Sequence, residues 1–325
     1  MNRNNIDIKG IGEFFKNNND FLILTHKSPD GDTLGSAYAL CESLQLYGKR
    51  AGVICSDEIP KKFYYFTEKI INNCNTENPT VISVDIADTK LMGSLKEKYE
   101  NKVMLSVDHH VTNLYFAKYN YVNAFSGANC ENIYEILVNL GMSINKNIAE
   151  ALYTGISTDT GCFRYSNTTS KTHLIAANLM DYGINNSEID RIMFETKTKS
   201  KIALEKYVLD NLKFYFNGNA AIVVLEKEQT EALGCSDDDF DGISSITRCI
   251  EGVKVGITLR EKENNVFKGS VRTYEPFDAS DICKRLSGGG HARAAGCEIT
   301  AKKEDAVKKV LNSIEIEISE KNIKI

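Results

Sequence analysis

The 325-residue chain has no basic excess: 39 Lys and Arg stand against 44 Asp and Glu, a formal net charge of −5. It therefore lacks the strongly basic face with which proteins grip long duplex DNA. An acidic chain still binds a short nucleic acid when metal ions neutralise the phosphates, so the charge excludes long polyanions and leaves small ones. The chain also lacks a C-x-x-C pair. Its nine cysteines (Cys41, Cys55, Cys74, Cys130, Cys162, Cys235, Cys249, Cys283 and Cys297) are odd in number and too sparse for a small disulfide scaffold. Reduced thiols and a cytoplasmic setting are expected. No apolar run approaches the roughly 20 residues of a membrane span, so no membrane partner is expected. The opening "MNRNNIDIKGIGEFF" has no long apolar stretch and does not read as a secretory signal peptide.

What is there suits two packed domains: 42% of the residues are hydrophobic, and the length favours two cores over one. "FLIL" at 21–24, "AGVICS", "TVISVD" and "KVMLSVD" are short apolar runs without alternation. Such runs suit parallel strands covered on both faces. Between and after them, "TLGSAYALCESLQLYG" at 33–48, "NCENIYEILVNLG", "NKNIAEALYTGISTDTG" and "TTSKTHLIAANLMDYG" read as helices. The expected fold class is α/β, with a mostly parallel sheet over residues 1–186. A helical linker with a polar middle is expected over 187–212. A smaller α+β domain follows over 213–325. Its strands are "KFYFNGNAAIVVLE" and "KVGITLREKENNVFKGSVRT", its helices "SDICKRLS" and "KKEDAVKKVLNSI". The tail "EIEIS" reads as a last strand.

The five histidines are not scattered. His26 shares "HKSPDGD" with Asp30 and Asp32. Asp85 ends "VISVD". "VDHH" supplies Asp108, His109 and His110, and "STDTG" supplies Asp159. Ligands of open α/β sheets gather at the carboxyl ends of the strands, so these distant sites are expected to converge. Carboxylates and neutral imidazoles together suit Mn²⁺ or Mg²⁺, and also take Zn²⁺ or Fe²⁺. So many donors exceed the needs of one ion and match a pair about 3.5–4 Å apart that shares a carboxylate. Any one of these motifs alone is as readily a turn residue or helix cap; the combination carries the reading. His173, inside "KTHLIAANL", reads as a packing residue. In "SGGGH", consecutive glycine N–H groups suit an anion-binding nest, and a plain hinge is the simpler alternative.

Five ordered motifs, "HKSPDGDTLGS", "VD" at 84–85, "VDHHVTN", "STDTGCFRYSNTT" and "GGGHARAAG", resemble the signature series of the DHH phosphoesterase superfamily with its DHHA1 C-terminal domain. Within it the plan is most similar to the bacterial nanoRNase and pAp phosphatase group. That group degrades very short RNA and removes the 3′-phosphate of adenosine 3′,5′-bisphosphate. The resemblance implies two divalent metal ions, Mn²⁺ first and Mg²⁺ as the alternative. His26, Asp30 and a bridging Asp85 would hold one ion; Asp32, Asp85, His109 and Asp159 would hold the other. His110 would touch the scissile phosphate, with Asp108 supporting the histidines. Gly288, Gly289, Gly290 and His291 would contact the substrate phosphate or terminal nucleotide, and Arg272 in "SVRT" would clamp a phosphate through its planar fork. The first glycine of the family's four-glycine run is Ser287 here, a strained choice if the turn needs positive φ. Asp88 competes with Asp85 for the bridge. Two domains gripping a short substrate would explain the tolerated acidity. Cleavage of pApA in cyclic-dinucleotide turnover and a non-catalytic nucleotide-binding module are the rival functions, and a homodimer is left open.

Overall fold

The computed structural model describes residues 5–75 and 77–324. The chain divides into two compact units, Met1–Thr196 and Lys197–Ile325. The first begins with helix α1 (Ile8–Asn17), followed by β1 (Asp20–Leu24), α2 (Gly31–Leu46), β2 (Arg50–Ile54), the short α3 (Tyr64–Thr67), and β3 (Thr80–Val84). It continues through α4 (Lys96–Tyr99), β4 (Val103–Asp108), β5 (Tyr119–Val122), α5 (Asn129–Asn139), α6 (Lys146–Asp159), α7 (Ser170–Met180) and α8 (Asn186–Asp190). The strands form one sheet in the order β2-β1-β3-β4-β5, and every neighbouring pair is parallel. The four apolar runs became strands because their side chains are buried on both faces; Phe21, Ile23, Ile82, Leu105 and Val107 are fully or almost fully shielded. The edge strand β5, "YNYV", escaped the sequence reading. It is short, and only Tyr119 and Tyr121 pack on the core beside it.

Helix α2 is buried almost all round, as its low polarity requires. It is pressed against α6 by glycines. Any side chain at Gly35 would collide with the Ala151 carbonyl, one at Gly31 with Thr158, and one at Gly155 would lie 3.1 Å from the Asp32 Cα. This close approach brings the first turn of α2 beside the last turns of α6.

The second unit holds α9 (Lys199–Asn211), β6 (Lys213–Tyr215), β7 (Ala220–Leu225), α10 (Lys227–Ala232), α11 (Ile243–Ile246), β8 (Val255–Glu263) and β9 (Val266–Thr273). It ends with α12 (Ala279–Lys284), β10 (Gly289–His291), β11 (Ala294–Thr300) and α13 (Lys303–Glu320). Its sheet runs β10-β11-β9-β8-β7-β6, with β7 and β8 parallel and the other pairs antiparallel. The hairpins β6–β7 and β8–β9 follow the expected pattern. The parallel pair depends on the α10–α11 crossover. Between the units, α8 runs into a π-helical turn at Arg191–Glu195, and Thr198 then caps α9 by accepting from Lys201 N at 2.9 Å.

The tail "EIEIS" is not a strand; it is the last part of α13. Five alternating residues imitate a strand, but the longer period decides. Ala306, Val310, Ser313, Ile314 and Glu317 fall on one helical face and are buried. Glu317 is fully buried there, bonded to Arg285 at 2.8 Å and Lys321 at 2.6 Å.

Candidate metal centre and active site

The carboxyl ends of β1, β3 and β4 and the end of α6 deliver the acidic and histidine side chains to one place. Thr33, in the first turn of α2, ties two of these segments, since its hydroxyl accepts from His26 N at 3.3 Å and donates to the Val84 carbonyl at 3.3 Å. Asp30 caps α2, accepting from Asp32 N and Thr33 N, both at 3.1 Å, with one oxygen. His26 Nε2 lies 3.5 Å from Asp30 Oδ1 and 3.6 Å from Asp85 Oδ2. His109 Nε2 lies 3.5 Å from Asp85 Oδ1, 3.7 Å from Asp32 Oδ2 and 3.9 Å from Asp159 Oδ2. Thus His26, Asp30 and Asp85 form one donor group, Asp32, His109 and Asp159 a second, and Asp85 reaches both. A third overlapping group is Asp85, His109 and His110.

The imidazoles are aimed by their other nitrogens. His26 Nδ1 donates to the Lys27 carbonyl at 2.8 Å, and His109 Nδ1 to the Ser126 carbonyl at 3.2 Å. Each Nε2 then faces the carboxylates, placed to give its lone pair to a bound cation once its proton is displaced. His110 Nδ1 bonds the buried Asp108 at 2.8 Å, which leaves Nε2 as its outward atom; the ring is 41% exposed.

A supporting layer went unread in the sequence. Asn113 donates to Asp108 Oδ2 at 2.5 Å and to the Ile86 carbonyl at 3.2 Å. Asn132 donates to the Asp108 carbonyl at 3.1 Å, and Asn167 bridges the Gly127 and Asp159 carbonyls at 2.7 and 3.2 Å. The carboxylate of Asp32 takes Asn129 N at 2.6 Å and Cys130 N at 2.8 Å, the first N–H groups of α5. A helix N-terminus favours a negative charge there. "VTN" put Asn113 near the histidines, but nothing in the sequence marked its partner.

Asp85 sits in the left-handed region at φ +59°, directly after β3, and donates its N–H to the Val107 carbonyl at 3.0 Å. Such backbone costs a non-glycine residue about 1–2 kcal/mol. Its Oδ1 is buried with no hydrogen-bond partner. Asp88 is elsewhere engaged: it caps the next turn, accepting from Lys90 N at 2.9 Å.

The electrostatics are those of a cation site. Burial, then the neighbouring Asp32, push Asp85 up to about 7 and Asp159 up to about 8. Burial works against charge on His26, but hydrogen bonds to Asp30 and Asp85 prevail and raise it to about 11. Burial likewise opposes charge on His110, and Asp108 overcomes it, raising it to about 9. Carboxylates held this close without a cation resist ionisation. The orphaned Asp85 oxygen and the all-oxygen-and-imidazole donor set fit divalent ions of the Mn²⁺ or Mg²⁺ type.

In the second unit, His291 stands opposite Ala294, and Ala294 opposite Arg272. Directly opposed residues share a sheet face, so Arg272 and His291 project the same way from β9 and β10. "GGGH" is neither a free hinge nor an open nest. Gly289–His291 forms the terminal strand of its sheet. Gly290 has φ +147°, and a side chain there would lie 2.6 Å from the Ala295 Cα; one at Gly288 would strike the Gly296 carbonyl. Ser287 adopts φ +60° at the end of α12.

An open parallel α/β unit with this acidic and histidine centre, followed by a mixed-sheet unit, defines a class that the family models also recognise. Residues 20–156 match the DHH family, N-terminal domain, and residues 216–319 match the DHHA1 domain. The chain belongs to the DHH–DHHA1 phosphoesterase superfamily, a group of hydrolases. It is 31% identical over 305 residues to the bifunctional oligoribonuclease and PAP phosphatase NrnA of Thermus thermophilus, covering 91% of this chain and 90% of that protein. It is 27% identical to the protein of the same name from Bacillus subtilis, over 86% of this chain and 90% of that one. The crystal structure of an exopolyphosphatase-related protein from Bacteroides fragilis superposes with a TM-score of 0.87 at 25% identity, covering 95% of both chains.

Proposed function

We propose that the protein is a metal-dependent phosphoester hydrolase that degrades very short RNA oligonucleotides and removes a phosphate from adenosine 3′,5′-bisphosphate. The observation that carries this is the shared position of Asp85, one carboxylate facing two donor groups, in a chain related throughout its length to enzymes named for these two activities. His26, Asp30 and Asp85 would hold one ion, and Asp32, Asp85, His109 and Asp159 the other, with Mn²⁺ the expected metal. Bound ions of this kind neutralise phosphate charge and ease deprotonation of a water at neutral pH. The chain's own residues do the rest. Asp32 is held still by the α5 N-terminus, and His26 and His109 by backbone carbonyls, so the donors need no rearrangement. His110, steadied by Asp108, presents Nε2 to an oxygen of the scissile phosphate and donates a hydrogen bond as charge grows there. Arg272 and His291, on one sheet face, would take a second phosphate or the terminal nucleotide. The nine free cysteines suit a reducing compartment, and among the described residues no helix is long and apolar enough to cross a membrane; the cytoplasm is the proposed setting.

The test is a panel of 5′-labelled RNAs from dimer to long polymer, run with adenosine 3′,5′-bisphosphate and pApA in Mn²⁺. Rates should be greatest for roughly two to five nucleotides and should fall with length. Rates that climb steadily with length would instead indicate a processive exonuclease. Tight binding without turnover would indicate a regulatory module.

A further inference from the structure

Phe125 is 92% exposed, the most exposed large hydrophobic side chain among the described residues. A lone surface aromatic is ordinary; this one is pinned to the reaction centre. Asn123 N donates to the Asp108 carbonyl at 3.0 Å, and the Asn123 side chain accepts from Phe125 N at 3.3 Å and donates to Ser126 Oγ at 2.9 Å. Ser126, the next residue, holds His109 by its carbonyl at 3.2 Å. The ring therefore projects from a braced loop after β5, bonded at its start to the carbonyl of Asp108 and supporting His109 at its end.

A second aromatic stands on the segment tied to that loop. Asn167 bonds the Gly127 carbonyl at 2.7 Å and the Asp159 carbonyl at 3.2 Å, joining the loop to the turn after α6. In that turn Gly161, Cys162 and Phe163 are all left-handed, at φ +58°, +57° and +61°. A left-handed run of three is unfavourable for L-residues, and strain of this kind gathers at functional sites. It folds the chain back so that the Tyr165 ring lies over Gly161, where any side chain would collide with it. Tyr165 is left 49% exposed.

We propose that Phe125, with Tyr165 on the adjoining turn, is a stacking platform for a nucleobase of the substrate, and so determines specificity at the rim of the metal centre. The proposal rests on the reading of the protein as a short-RNA hydrolase and deepens it. Stacking accepts every base, because each has a π-face, and it rewards a base over none. The platform thus selects nucleotides from other phosphoesters without reading sequence.

The experiment compares a dinucleotide with its analogue lacking one base, and follows a 2-aminopurine dinucleotide by fluorescence. The chain has no tryptophan to interfere. Phe125→Ala and Tyr165→Ala should each lower kcat/KM for the base-bearing dimer by about ten- to a hundred-fold. The abasic dimer should be nearly unaffected, and quenching of 2-aminopurine on binding should weaken. Phe125→Tyr should retain both quenching and preference, whereas Phe125→Leu, apolar but without a ring, should not. Mn²⁺-induced thermal stabilisation equal to wild type verifies that each variant is folded. The proposal is overturned if the alanine variants affect both dimers equally, if neither changes quenching, or if leucine serves as well as tyrosine. A wild-type protein that quenches the fluorophore in a Phe125-dependent way but cleaves no short RNA would refute the assigned activity and leave the platform standing.

Discussion

Replacing Asp85 by asparagine should move stability in opposite directions with and without metal. In the metal-free protein Asp85 is buried, its Oδ1 has no partner, and burial with Asp32 raises it from 3.8 to about 7. Holding that carboxylate charged against burial and Asp32 costs on the order of a few kcal/mol, at about 1.4 kcal/mol for each tenfold change in proton affinity. Asparagine leaves a polar atom at the same place but removes the charge, so the metal-free variant should be more stable on that order. The sign follows from linkage: a carboxyl raised in the folded state binds its proton more tightly there, so stability is lost as pH climbs from 3.8 toward 7. The advantage of the variant should thus be small near pH 4 and complete above pH 7. With metal the order reverses. An ion at a hundred times its Kd stabilises the folded state by about 2.7 kcal/mol, and a unit of this size gains roughly 2–4 °C per kcal/mol. Wild type should therefore gain on the order of 5–10 °C in Mn²⁺, and the variant little. Circular dichroism melts in EDTA and in graded Mn²⁺, at several pH values, read both effects. Undiminished Mn²⁺ stabilisation in Asp85→Asn, or its loss in Asp88→Asn, would refute the reasoning.

Asn113→Ala should leave metal content intact but lower kcat about 10- to 100-fold, because Asp108 then holds His110 less firmly; elemental analysis alongside steady-state kinetics separates the two. Ser287→Gly should stabilise the second unit by about 0.5–1 kcal/mol in urea, since relief of left-handed strain of about 1–2 kcal/mol exceeds the added chain entropy of glycine. Arg272→Lys keeps the charge but loses the planar fork, and should raise KM for short RNA about ten-fold while sparing a small generic phosphodiester. Glu317→Ala should cost about 1–3 kcal/mol by removing the buried carboxylate shared by Arg285 and Lys321, which keep Glu320 and Asp281, visible as a lower urea midpoint.

The parallel sheet was legible because its strands are continuous apolar runs between helices, and the convergence of the acids and histidines was legible because most of them end such a run or open a helix, Asp159 alone closing one. What escaped depends on packing at long range. Asn129 and Cys130 serve Asp32 through backbone N–H groups, which any residue possesses, so no side chain advertised them. Asn132 and Asn167 sit in ordinary helical and turn sequence and acquire meaning only through carbonyls brought from elsewhere. "EIEIS" misled because a five-residue window contains more than two strand periods but little more than one helical turn. Pattern favoured Asp85 over Asp88 as the bridge because Asp85 directly ends the apolar run; in the structure one faces the donor groups and the other caps a turn.

The donors lie between residues 26 and 159, and the strands that position them pair in parallel, each through a long crossover. Parallel pairing of distant segments closes late in folding. A chain emerging from the ribosome therefore lacks Asp159, and with it a complete second donor group, until α6 has been made and has docked on α2. The nascent protein passes through its most RNA-rich surroundings with its hydrolytic centre still in pieces. Uptake of a divalent ion by the group of Asp32, His109 and Asp159 would then report that α6 has closed onto the sheet, which would make metal uptake at that group a clock for folding of the first unit.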